Sequence, residues 1–118
     1  MPRIVAEAVP RPEWFVLPRA GCVGVECKVL LHTPELAIAM LRFGPHSTID
    51  PHPAPFPVDV ICLEGEGRFS VDDESAPIKA GQRVQWPANR PHCLWTDTAP
   101  MLTLMVEHRR PGSAATGR

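Results

Sequence analysis

Proline is the residue that most restricts what this chain can fold into. Fifteen of its 118 residues are proline, and each fixes φ and removes a backbone donor, which closes helix interiors and central ladder positions to it. The segments between them are short and rich in Val, Ile and Leu, at intervals of about eight to twelve residues that suit strands joined by turns. Strands are expected at 13–17, 23–31, 35–43, 58–63, 68–71, 76–79, 83–86, 92–96 and 101–107. The third of these contains good helix formers, yet Pro34 and Gly44-Pro45 confine it to about nine residues. Glu64-Gly65-Glu66-Gly67 has the composition of a tight turn, and Asp72 to Ser75 that of a polar hairpin tip. The expectation is one all-β domain over 13–108, a barrel or sandwich, with an arm over 1–12 and a disordered tail over 109–118, whose first residues, Arg109 to Ser113, have no apolar content.

A formal net charge of −1 gives no electrostatic case for nucleic acid or an anionic membrane. The apolar runs are too short to span a bilayer, and Met1 to Pro10 lacks the apolar core of a signal peptide, so a cytoplasmic location is expected. Four cysteines, at 22, 27, 62 and 93, form no C-x-x-C pair. They read as reduced, buried thiols and not as a zinc site.

Two stretches carry the chemistry. His52-Pro53-Ala54-Pro55-Phe56-Pro57 leads into the strand from Val58, and Gly81 opens a second strand that ends in Pro87-Ala88-Asn89-Arg90-Pro91-His92. Each brings one histidine, and if the strands are neighbours in a small barrel the two imidazoles meet inside it.

In their spacing these residues resemble the cupin family, whose motifs are G-x5-H-x-H-x3/4-E-x6-G and G-x5-P-x-G-x2-H-x3-N. The second motif runs Gly81, Pro87, Asn89, His92, Thr96 in the family's spacing. Asn89 stands for a glycine, a mild change because Asn tolerates a left-handed backbone, and Thr96 stands for an asparagine. Counting back from Gly65, the first motif retains His52 but has Ala54 for its second histidine and Val58 for its acid. A second register, with Asp50-Pro51-His52 as the H-x-H pair and Asp59 as the acid, breaks both later spacings. The first is preferred because it needs extra length only after Gly44.

The resemblance implies a small antiparallel jelly-roll barrel, a double-stranded β-helix of the RmlC-like type, that pairs as a homodimer. It implies a small-molecule ligand or substrate inside. Catalysis is expected of His52 and His92, as general base and acid or jointly orienting a weakly held divalent metal. That metal would be Fe, Ni, Zn or Mn, with His46 as a further ligand, or there is none. Proton-transfer chemistry (isomerisation, elimination or decarboxylation) is the leading expectation. A non-catalytic ligand-binding or sensor module and a metal-dependent oxygenase are the alternatives. The chain has no tyrosine, which removes the acid of the family's sugar-epimerase branch and the tyrosine of its thiol dioxygenases. The length leaves no room for the DNA-binding domain of a one-component sensor.

Side-chain alternation makes Val58, Val60 and Cys62 face inward together. It also puts His92 and Leu94 on one face, with Cys93 and Trp95 on the other. Ala54, Phe56, Val58, Val60, Cys62 and Leu94 are therefore the expected cavity lining, with Phe56 able to cap it. An apolar lining would favour a neutral imidazole. His32 and His108 read as solvated surface residues, and Glu64 and Glu66 as solvated turn acids.

Overall fold

The structure, a computed structural model, describes residues 4–109. Eight strands make up its regular structure: β1 Arg11–Val16, β2 Cys22–His32, β3 Leu36–His52, β4 Val58–Val71, β5 Glu74–Lys79, β6 Arg83–Trp86, β7 His92–Trp95 and β8 Met101–His108. Every pairing is antiparallel, and no helix occurs among the described residues. No helix is long and apolar enough to cross a membrane.

Two long strands close the barrel, because each changes partner midway. The first half of β3 pairs with β8 from Leu36↔His108 to Phe43↔Met101, and its second half pairs with β7 from Thr48↔Trp95 to His52↔His92. The first half of β4 pairs with β8 and β6, its second half with β5 and β7. β7 and β8 thus each bridge β3 and β4, and the loop of pairings β3-β8-β4-β7 encloses the core. Val25, Phe43, Val60, Ile78 and Leu94 are almost completely shielded there. Such dense apolar burial is the main favourable term in folding.

Two expected boundaries are corrected. Gly44-Pro45 does not end β3, and Glu64 to Gly67 is not a turn; both lie within continuous strands at the places where partners change. At the first, β3 has left β8 and not yet joined β7, so Pro45 forfeits no ladder bond. His46 bends the backbone with φ 55°, and its amide donates to the Asp97 carbonyl at 2.6 Å. Thr96, at the family's asparagine position, pins this bend from across the barrel. Its hydroxyl accepts from the Ser47 amide at 3.0 Å and donates to the Gly44 carbonyl at 2.6 Å, so both buried backbone groups are satisfied.

At the second, Gly65 takes φ 77°, and the β4–β8 register slips between Cys62 and Glu64. The strand kinks as a bulged strand does and continues into its second sheet. Asn89 has φ 62°, the left-handed backbone that its glycine-equivalent position implied. Residues 4–10 have no regular structure, although Arg11 and Pro12 of the expected arm belong to β1. The tail beyond Arg109 lies outside the described residues.

Candidate functional site

A register slip in β3 brings the two histidines together. β3 and β7 pair Ile49 with Leu94, then shift, so that His52 comes opposite His92. The imidazole centroids are 4.5 Å apart with planes at 67°, an edge-on contact. The indole of Trp86 stacks on His92, 3.9 Å between centroids and 12° from parallel. The segment between β3 and β4 is tied down by the Asn89 amide, which donates to the Ala54 carbonyl at 2.7 Å.

Both histidines line a cavity of about 260 Å³, with His92 almost wholly buried behind it. Its walls are apolar over Cys27, Val29, Ala39, Leu41, Ile49 and Met105, and Ala54, Val58 and Trp86 surround the histidine end. Arg19, His32 and Glu107 are its other polar lining. A larger groove of about 820 Å³ on the outside, between Trp14 and Met101, contains no histidine.

The hydrogen bonds fix the state of His52. Arg19 Nη1 lies 2.5 Å from its Nε2, and a guanidinium can only donate, so Nε2 accepts. Nδ1 then carries the hydrogen and donates to the Asp50 carbonyl at 2.9 Å. His92 is different. It is 1 % exposed, and its Nδ1, like Trp86 Nε1, is sealed from solvent with no partner. Its pKa is lowered to about 4, first by burial and then by the neighbouring His52, against an upward pull from the Arg90 carbonyl, with Arg19 adding the smallest lowering. At neutral pH His92 is an uncharged base in an apolar enclosure.

Alternation put the right faces inward without giving depth along the barrel. Ala54 and Val58 border the cavity. Val60, Cys62 and Leu94 share that interior but lie in its packed part, and the Cys62 thiol is spent on the Glu64 and Gly65 carbonyls. Phe56 is outside the wall, half-buried with the Arg109 guanidinium 5.7 Å over its ring. His46 is exposed at the β3 bend, away from the cavity wall. His32 is exposed, as expected, but it also borders the cavity, with its Nε2 3.2 Å from Arg109 Nη1. His108 is not simply solvated: its Nε2 lies 2.7 Å from the buried carboxylate of Asp59, which also accepts from Arg83 at 2.9 Å. No motif pointed to Arg19, which reaches the cavity from the loop between β1 and β2.

The two conserved-barrel motifs, the antiparallel closure and the paired histidines all agree with the comparison to known families. The family model for the cupin domain matches residues 39–107, more than half of the chain. The protein is a cupin. Similar solved structures include the polyketide cyclase RemF from Streptomyces resistomycificus, 16% identical over 90% of this chain and 81% of that one, with a TM-score of 0.79. KdgF from Halomonas sp. is 18% identical over 86% and 90%, with a TM-score of 0.73. A chain from the DMSP lyases RdDddP and RnDddQII is 23% identical over 76% and 49%, with a TM-score of 0.68. These likenesses establish the fold. No curated protein matches the chain.

Cupins often hold a metal, and the residues of this cupin do not fit one. A catalytic centre generally needs three protein ligands and an open position. Ala54 and Val58 offer no lone pairs at the other two family positions, and no group of three His, Cys, Asp or Glu converges among the described residues. The Nε2 that His52 would give to a metal instead accepts from the cationic Arg19. The carboxylate of a two-His oxygenase site has no counterpart beside the histidine pair.

Proposed function

We propose that this cupin is a small-molecule enzyme of proton-transfer type, in which His52 and His92 act as the general base and acid. The observation that carries the reading is a sealed, uncharged His92 in ring contact with His52 at the end of an apolar cavity. His92 takes a proton from the bound substrate; the imidazolium so formed returns it, directly or through His52, to another atom of the same molecule or to a leaving group. The first outcome is an isomerisation, the second an elimination. The structural relatives described as a cyclase and as lyases support small-molecule chemistry inside such a barrel, and a cavity near the lower end of the usual ligand range favours a small substrate.

The test is turnover and binding measured separately across a metabolite panel, for the native chain, His52→Ala and His92→Ala. Variants that merely weaken ligand binding, with no reaction found, would assign the cavity to a sensor or carrier.

We also propose a homodimer. Among the described residues β1 pairs only with β2, which leaves a strand edge uncovered there, and the neighbouring Val16 and Val23 are 72% and 60% exposed. Light scattering should give twice the 13.0 kDa chain mass; a mass near 13.0 kDa at micromolar concentration contradicts the pairing. Four free cysteines and an almost neutral charge suit a reducing, cytoplasmic setting without nucleic acid or membrane partners.

A further inference from the structure

Charge at the cavity is unbalanced in one place. Glu107 is paired with Arg109 at 2.5 Å, and Arg109 also meets His32, so that side is neutralised. Arg19 borders the same cavity and has no ion pair among the described residues. Asp50 is near enough for both groups to act on the Cys22 thiol, yet it makes no salt bridge to Arg19. Of the five guanidinium donors, one is used on His52 Nε2, an acceptor that a carboxylate readily outcompetes because ionised partners make stronger bonds in bidentate geometry. Apart from the histidine pair, Trp86, His32 and the paired Glu107, the rest of the lining is aliphatic, thioether or thiol.

From this we infer that the ligand of the cavity is a small organic acid, with one carboxylate on Arg19 and an apolar body against Val29, Leu41, Ile49 and Met105. The inference rests on the proposed function in taking the cavity as the reaction site, and it names the substrate class. Arg19 has two positions with different consequences. Bound to His52, it occupies the imidazole acceptor. Bound to a carboxylate, it releases Nε2 and holds the adjacent substrate atoms beside both imidazoles. Arg19 is thereby a specificity and positioning residue that loads the site only when an acid enters.

The experiment is a binding titration of the full chain, followed by the NMR resonances of His52 and His92. The probes are benzoate, pivalate and phenylacetate, each against its neutral amide, for the native chain, Arg19→Gln and Arg19→Lys. At least one carboxylate should shift both histidines and bind about tenfold or more tighter than its amide, as expected for charged hydrogen bonds. Arg19→Gln should abolish that preference. Arg19→Lys should keep part of it, because an ammonium preserves the charge without the fork. Equal binding of acid and amide, an undiminished preference in Arg19→Gln, or no histidine shift with any carboxylate overturns the inference. No turnover enters this readout, so its failure leaves the histidine pair standing for a neutral substrate. Unchanged turnover in the histidine variants removes the catalytic reading while leaving acid binding intact.

Discussion

His92→Ala should reduce turnover by about 100-fold or more, the usual contribution of a positioned general acid or base, while ligand affinity changes little. In the proposed reaction His92 works as a proton acceptor. Its ring is in contact with Trp86 and His52, and most of the ligand contact comes from the apolar walls. His52→Ala should have a comparable effect on rate for a different cause. It deletes the acceptor of the Arg19 bond and the neighbour through which the proton can return, so kcat falls and the double variant is no slower than the product of one loss and a small remainder. Groups that act as a unit lose their effect together. Steady-state kinetics with a parallel calorimetric Kd checks both. A tenfold loss of affinity with an unchanged kcat would contradict the assignment.

Gly65→Ala should be the most damaging single substitution away from the site. A Cβ at Gly65 would stand 2.0 Å from the Pro100 carbonyl oxygen, which is backbone and cannot rotate aside, and the residue already has φ 77°. Left-handed strain alone costs about 1–3 kcal/mol. With the clash, roughly 3–5 kcal/mol is expected, a large part of the stability of an ordinary domain. Gly81 supplies the control: its φ is 88°, with nothing within 4 Å of an added Cβ, so Gly81→Ala should lose only about 1 kcal/mol. Chemical denaturation of both variants reads the difference. Equal losses would mean that conformational strain, and not the packing of β4 against Pro100, is what the glycine relieves.

Much of the barrel was legible because proline and glycine act locally. Pro87, Asn89 and His92 are spaced by a turn whose left-handed residue is visible in the sequence as Asn, and β6 has the bounds that its flanking turn residues imply. Glu64-Gly65-Glu66-Gly67 misled because the same φ that closes a hairpin also makes a bulge; which one forms depends on Pro100, some thirty-five residues away. Gly44-Pro45 misled likewise, since a proline is harmless where a strand is between partners. Alternation along β4 and β7 identified inward faces and was silent on height, so packed Val60, Cys62 and Leu94 could not be told from the cavity wall. The link from Asp59 to His108 joins β4 to β8, and that from Arg19 to His52 joins the β1–β2 loop to β3. No local pattern encodes such pairs; the closure of the barrel makes them.

His92 is held uncharged beside His52 in a mostly apolar cavity, and its own titration tests this most directly. The ordinary pKa of 6.5 is lowered to about 4 in the folded chain, so between these values the unfolded chain binds a proton that the native one does not. Stability therefore falls as pH drops through 6.5 toward 4, by roughly 2–3 kcal/mol from this group, and above about pH 7 the group contributes no pH dependence. An NMR pH titration of the His92 ring should show a midpoint near 4, moving upward in His52→Ala, which removes the neighbouring ring, and in Arg19→Gln, which removes a neighbouring guanidinium. A midpoint near 6.5, unmoved in both variants, would contradict the account.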